Sequence, residues 1–394
     1  MRQLLFLGLL VSLSAPAANL HDALEKAWLR NPQGQALLAA QDEIHAARAA
    51  TGSLTPSAPT LSVSQRGDQL NANRGQREWE AKLGLPLWLP GERDARRQLV
   101  ENGATENAAV TTALRLTLAG ELREAWWAWR LAHQESELAQ QRLHTAQALE
   151  RDVQRRVAAG DLAPLDQNLA RHETLAARAM LLSAQARLAE SRQNWQALTG
   201  DLPLPAGEEE AIAPAAPLDA HPRLEAARQS VALALAKIKL VAETPRDTPE
   251  LGLFTRSERS AADAAYVGSV GISLKLTFAN EARNRPLAAA ANRALIQAES
   301  EYRLVQQRLE LDLERARQNL ATAASQLDLV AAQRELAQEN LKWLQKAFDI
   351  GETSLSNLLK TRAAYLESEL NHALRQIGAA QAKARFNQAQ GVLP

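Results

Sequence analysis

The 394-residue chain contains no cysteine. A disulfide framework, a thiolate metal site, a cysteine nucleophile and an acyl-cysteine anchor are therefore all excluded. Charge of one sign is equally missing: 45 Lys and Arg stand against 45 Asp and Glu. With no basic excess to neutralise phosphates, no nucleic-acid partner is expected. Beyond the first residues there is no apolar run long enough to cross a bilayer as a helix. If the mature chain enters a membrane, it must do so as strands.

Signatures of catalysis are also wanting. The seven histidines, His21, His45, His133, His144, His172, His221 and His372, never fall at an i, i+4 ligand spacing, and they read as surface or packing residues. No Gly-rich phosphate loop, Gly-x-Ser-x-Gly elbow or His-Glu-x-x-His motif occurs, so neither an enzyme nor a cofactor is expected. The run Glu208-Glu209-Glu210 reads as solvated loop.

The first residues, MRQLLFLGLLVSLSAPA, carry one Arg, a short apolar run from Leu4 to Leu13 and small residues at Ala15 and Ala17. They predict a secretory signal peptide, residues 1–17, cut near Ala17 or Ala18. Aromatic residues are scarce at 4%, while Ala, Leu, Gln, Arg and Glu dominate. Such a composition belongs to long helices with close neighbours.

Two stretches break the helical pattern. In Arg77–Leu89, Trp79, Ala81, Leu83, Leu85, Leu87 and Leu89 alternate with Glu78, Glu80, Lys82, Gly84 and Pro86, the period-2 pattern of a strand with one apolar face. Tyr266–Phe278 repeats the pattern, and each stretch has a shorter partner upstream, Thr60–Gln65 and Glu250–Arg256. Two β-hairpins, 60–89 and 250–278, are expected. Strands of this length with aromatic ends suit a membrane barrel, with Trp79, Trp88, Tyr266 and Phe278 as girdle candidates. Hairpins packed on a soluble core remain an alternative.

The helices are read from pattern and punctuation. A helix from Leu20 to about Gly52, broken at Asn31-Pro32, precedes the first hairpin. A proline-free run over 92–159 follows, which at 1.5 Å per residue is about 100 Å long. Gly160-Asp161-Leu162-Ala163-Pro164 turns it into a return helix, 164–199. Residues 201–220, rich in Pro and acid, are expected to be irregular. The order then restarts at His221-Pro222: a helix, the second hairpin, a long helix 281–350, a tip at Gly351-Glu352-Thr353-Ser354, and a return helix 354–391. From Gly160 to Gly200 and from Gly351 to Gly391 the copies align without a gap, so the chain is two repeats, 18–200 and 221–394. The expected fold class is mainly α, internally duplicated, with long helical hairpins as a cylinder wall and four strands per chain; if the strands are membranous, it is mainly α with membrane β, the helical hairpins forming an α-barrel. Trp126, Trp127, Trp129 and Trp195 are expected to pack the helix junction against the irregular segment.

Four strands cannot close a barrel, and an open sheet edge in lipid leaves N–H and C=O groups unpaired. If the hairpins are membranous, several chains must pool their strands, and three chains would give twelve; on that condition oligomerisation follows from the hydrogen-bond requirement.

The Asn31-Pro32 opening, the Gly84-Leu85-Pro86-Leu87 strand, the paired tips and Arg283-Asn284-Arg285 after the second hairpin resemble the TolC-like outer-membrane factor family. Within it they resemble the branch of cobalt-zinc-cadmium (CzcC-like) and copper-silver efflux, with Pro286 and Leu274-Lys275-Leu276 as departures from that branch's pattern. The resemblance implies a homotrimer with a twelve-stranded barrel in outer-membrane lipid, continued by a helical tunnel into the periplasm. It also implies a periplasmic adaptor (membrane fusion) protein and an inner-membrane RND-type transporter as partners, and a passive exit duct for heavy-metal cations as the function. By the same resemblance the adaptor contacts are Gly160, Asp161, Leu162, Ala163, Gly351, Glu352, Thr353 and Ser354. The entrance-gate candidates are Asp166, Asn357, Lys360 and Arg362, with an Asp166 link to Lys360 or Arg362. Drug efflux or type I secretion through the same duct, and a soluble periplasmic coiled-coil scaffold, are the rival readings.

Overall fold

The computed structural model describes residues 19–205 and 209–394, so the expected signal peptide lies outside the described residues. Among the described residues, seven α-helices and four strands run in the order α1 (Leu20–Arg30), α2 (Pro32–Thr51), β1 (Thr60–Gly67), β2 (Arg77–Pro86), α3 (Glu92–Ala159), α4 (Pro164–Thr199), α5 (Pro222–Glu243), β3 (Glu250–Arg259), β4 (Val267–Lys275), α6 (Glu281–Asp349) and α7 (Leu355–Ala389), with one 3-10 turn, Leu218–Ala220, just before α5. Among the described residues no helix is long and apolar enough to cross a membrane. Contacts divide the chain into two compact units, to both of which α3 and α6 contribute.

One unit comprises residues 32–113 and 217–309. Its four strands form a single antiparallel sheet in the order β1-β2-β3-β4. The two hairpins are thus zipped together by β2 and β3, from Arg77 opposite Arg259 to Pro86 opposite Glu250. β2 stops three residues short of the alternating pattern. Pro86 has no N–H to donate, Leu87 N–H makes one last bond to the Pro249 carbonyl (2.8 Å), and Gly91 turns the chain with φ of 80°. β4 likewise ends at Lys275, and the Thr277 hydroxyl donates to the Asp247 carbonyl (2.6 Å).

Helices anchor the base of the sheet. Glu92, only 1% exposed, accepts from the Leu89 N–H (3.0 Å) at the start of α3, where the helix dipole favours a carboxylate. Arg48 of α2 holds Glu101 of α3 through bonds of 2.8 and 2.7 Å. Arg93 donates to the carbonyls of Thr51 and Gly52 that end α2. Behind Gly91 the Glu243 carboxylate of α5 comes so close that a Cβ would meet it at 2.4 Å.

The other unit comprises residues 19–31, 114–205, 209–216 and 310–394. Asn19 caps α1 by accepting from the Asp22 N–H (2.7 Å), and α1 ends at Asn31 because a residue before proline is pushed to extended backbone. Trp28 of α1 is buried, with Arg115 of α3 4.9 Å above its ring. Arg115 also pairs with Glu25 (3.0 Å).

The segment after α4 is pinned rather than loose. The Trp195 indole N–H donates to the Leu202 carbonyl (3.0 Å) and the Trp126 N–H to the Pro205 carbonyl (3.4 Å). Trp126, Trp127 and Trp195 are each at most 2% exposed. Glu210, expected as solvated loop, is instead clamped by buried Arg123 at 2.8 and 2.9 Å. The correction has a simple cause: Arg123, 2% exposed, is a guanidinium inside a helix face, and it needs a carboxylate. Asn387 and Gln390, at the end of α7, extend the clamp by accepting from the backbone N–H groups of Ala213 and Ala216.

Candidate functional site

Two surfaces carry the chemistry expected from the sequence, one in each unit. The first is the sheet. Leu61, Leu83, Leu253 and Ile272 stand opposite one another across all four strands, with Leu85, Leu251 and Leu274 one row away and Val63, Ala81, Thr255 and Val270 on the other side. These rows share one face because side chains alternate. In one chain the face is bare: Leu61 is 74% exposed and Val270 and Ile272 are each 76% exposed. β3, of ten residues, spans about 33 Å at about 3.3 Å per residue, or about 25 Å of height at a barrel tilt near 40°.

The opposite face is ionic. Arg256 bridges Glu78 (3.0 Å) and Glu80 (2.8 Å), Lys82 pairs with Glu250 (3.2 Å), and Arg66 approaches Glu78 (3.8 Å). Here Phe254 lies directly on Gly271, its cross-strand partner, so close that a Cβ would meet the ring at 2.5 Å. One side of the sheet is suited to hydrocarbon and the other to water, while β1 and β4 keep free edges.

The four girdle candidates divide. Trp79 and Tyr266, 47% and 48% exposed, lie at the hairpin-turn end of the sheet, and Phe278, 85% exposed, lies past the other end. Tyr266 has Arg259 5.3 Å above its ring. Trp88 is half-buried: its indole N–H donates to the Ser53 carbonyl (3.3 Å) and Arg96 sits 5.2 Å above it.

The second surface is the pair of helix tips. Gly160 (φ 87°) and Gly351 (φ 79°) occupy left-handed backbone where only glycine is unstrained. In both tips the next N–H reaches back five residues, Asp161 to Arg156 (2.9 Å) and Glu352 to Ala347 (2.8 Å). The glycine N–H reaches back three, to Val157 and Phe348. This is the same Schellman ending twice. One core of Leu149, Val153, Ala170, Phe348, Leu355 and Leu358 lies under both tips, with Leu162 packed against it. Asp161, Ala163, Glu352 and Ser354 remain exposed.

The return helices are capped by opposite halves of one device. At α4 the Asp166 carboxylate accepts from the Ala163 N–H (3.2 Å). At α7 the Ser354 hydroxyl accepts from the Asn357 N–H (3.4 Å). A capping box uses both bonds at once; here each tip keeps one, the N3 carboxylate of Asp166 at α4 and the N-cap hydroxyl of Ser354 at α7.

Among the described residues of one chain Asp166 pairs with neither Lys360 nor Arg362. Lys360 is exposed. Arg362 faces the Arg142–Glu173 pair (2.8 Å), and its pKa falls below the usual arginine value because burial disfavours the charge; the Glu173 carboxylate offsets part of the shift and the Arg142 charge adds to it. Periodicity could not have disclosed the Arg123–Glu210 clamp or this cluster, since each joins residues far apart in sequence.

No family model matches the sequence. Over 291 residues the chain is 25% identical to the cobalt-zinc-cadmium resistance protein CzcC of Cupriavidus metallidurans, covering 71% of this chain and 67% of that one. The fold is similar to the CmeC outer membrane channel of Campylobacter jejuni, with a TM-score of 0.75, 14% identity, and 95% and 86% of the two chains covered. It is also similar to the outer membrane protein VceC of Vibrio cholerae, with a TM-score of 0.74, 14% identity, and 95% and 96% covered.

Proposed function

We propose that this chain, which has the fold of the TolC-like outer-membrane channels, is the passive exit duct of a tripartite efflux system and carries heavy-metal cations from periplasm to exterior. The observation that carries the reading is the sheet, with one bare apolar face, one ionic face and two unpaired edges. In lipid an unpaired edge is untenable, because each free N–H or C=O costs several kcal/mol. Three chains joining β4 of one to β1 of the next would remove every edge, turn the rows of Leu and Ile to the acyl chains, and leave Glu78, Glu80, Lys82, Glu250 and Arg256 lining water.

The tips support the partner assignment. Identical glycine turns over a shared core are stiff, and they present Asp161, Ala163, Glu352 and Ser354 outward, as a docking surface for a periplasmic adaptor that joins an RND-type transporter. Asp166, Asn357, Lys360 and Arg362 are our candidates for the entrance of the assembled oligomer. The metal cargo rests on the likeness to the cobalt-zinc-cadmium resistance protein. Among the described residues no group of three or more His, Asp or Glu is placed to hold a metal ion. In this reading, selectivity belongs to the pump.

Planar-bilayer recording on the purified oligomer tests the duct: stepwise ohmic conductance is expected, and its absence, with the protein recovered in the soluble periplasmic fraction, overturns the reading. Deleting the gene and scoring tolerance tests the cargo. Sensitivity to zinc, cadmium or copper is expected; sensitivity to drugs alone would reassign the duct to drug efflux.

A further inference from the structure

Towards the hairpin turns, the apolar face of the sheet changes character row by row. The row of Leu61, Leu83, Leu253 and Ile272 gives way to Val63, Ala81, Thr255 and Val270, and then to Gln65, Trp79, Ser257 and Gly268. The last row sets Arg77 between Gly67 and Arg259. Because side chains alternate along a strand, both guanidinium groups belong to the face that carries the leucines. Like charges directly opposite one another on neighbouring strands are destabilising.

No carboxylate relieves the pair. Arg259 is positioned by uncharged groups: its Nε donates to the Gly75 carbonyl (3.1 Å), and its guanidinium lies 5.3 Å above the Tyr266 ring. Arg77 is exposed, with only a glycine on its β1 side. The neighbouring Glu78 stands on the opposite face, where Arg256 (3.0 Å) and Arg66 (3.8 Å) engage it, and Glu258 stands across from it on that same face. In the turns, Asp68 accepts from the Arg74 N–H (2.6 Å) and Asp263 is exposed. Among the described residues neither forms an ion pair with Arg77 or Arg259.

We infer that Arg77 and Arg259 bind the phosphate group of an outer-leaflet lipid whose acyl chains lie on Thr255, Val270 and the leucine row below. This rests on the duct reading, in which the apolar face meets lipid. The helices join the sheet at its other end, so the hairpin turns then point to the exterior, where the leaflet is built of phosphorylated glycolipid. Guanidinium forks match phosphate oxygens through paired bonds. Trp79 and Tyr266, near the same level, are the amphipathic rings favoured where acyl chain meets headgroup. A phosphate between the two arginines turns their repulsion into a bridge.

The test is native mass spectrometry of the purified oligomer, in non-ionic detergent with EDTA, titrated with bis-phosphorylated lipid A, with the same lipid stripped of phosphate, and with inorganic phosphate. One phosphorylated lipid per chain is expected, held at least about tenfold tighter than the stripped lipid. Arg77→Gln should weaken it about fivefold, and Arg77→Gln with Arg259→Gln by more than about tenfold. Arg77→Gln should not lower the Tm of the lipid-free oligomer, since it removes a repulsion. Arg66→Gln, on the ionic face, should leave the affinity unchanged. Equal binding of the two lipids, displacement by equimolar inorganic phosphate, wild-type affinity in the double variant, or equal weakening by Arg66→Gln would each overturn the proposal. Bilayer conductance of the same sample separates the premises: an oligomer that conducts without binding lipid A sinks this inference alone, and one that does not conduct sinks the duct reading.

Discussion

Arg123 grips Glu210 through two parallel bonds, Nε to Oε1 at 2.8 Å and Nη2 to Oε2 at 2.9 Å, with the arginine 2% exposed. The same guanidinium donates to the Val392 carbonyl (3.0 Å), so one side chain ties α3, the 209–216 segment and the C-terminal residues. Removing one partner strands the other charge, a loss of about 3–5 kcal/mol. Glu210→Ala is expected to lower the Tm and to open 209–216 to limited proteolysis, whereas Glu209→Ala, whose Lys383 contact is a longer 3.6 Å between half-exposed groups, should change neither by much. Equal protease resistance in both variants would show that the clamp does not hold the segment.

The bare face of the sheet gives a second expectation. Leu253 sits at mid-row between Leu83 and Ile272, so Leu253→Arg places a charge at mid-bilayer, at a cost of about 2–4 kcal/mol. Ser62, on the ionic face of β1, should accept arginine freely. Insertion into outer-membrane vesicles, read by retention after carbonate washing, is expected to fail for the first and persist for the second; retention of both would place the Leu face in water.

A histidine caps α5. His221, 3% exposed, accepts the Arg223 N–H on Nδ1 (3.1 Å), which requires that nitrogen to be unprotonated. Burial, and after it the Arg223 charge, pushes its pKa down from 6.5 to about 4. The unfolded chain therefore takes up a proton near pH 6.5 that the folded chain refuses until about pH 4. The resulting penalty is absent above 6.5, grows as pH falls, and is complete below 4, on the order of 3 kcal/mol. His221→Asn keeps a capping acceptor and removes the titration, so its Tm should fall less between pH 7 and 4 than that of the wild type.

At the tips, Asp166→Ala and Ser354→Ala each delete one cap bond, worth about 1 kcal/mol. Amide exchange is expected to quicken over the first turn of α4 in one and of α7 in the other. If Asp166 and Lys360 also guard the entrance, Asp166→Asn and Lys360→Gln will raise single-channel conductance; unchanged conductance in both would leave Asp166 a helix cap alone.

Much of this was legible in sequence because it is local. A period of two marks Trp79 to Leu85 as strand whatever surrounds them, glycine at 160 and 351 marks a left-handed turn, and the absence of proline lets α3 run uninterrupted. Trp126 and Trp195 were expected to pack the segment after α4, and their indole N–H groups donate to it. The Glu210 partner was not legible, for no spacing rule links it to Arg123, 87 positions away.

Taken alone, the order of residues determined which segments are helix and which are strand, that the pattern occurs twice, and that one sheet face is apolar, since all three depend on neighbours a few positions apart. Tertiary structure decided that β2 pairs with β3 to make one sheet of two hairpins, that Asp166 and Ser354 each supply half a cap, and that Arg123 takes Glu210 as its carboxylate. Those outcomes depend on distance between side chains that only folding brings together, where charge and hydrogen bonds must be satisfied by whatever lies within about 3 Å.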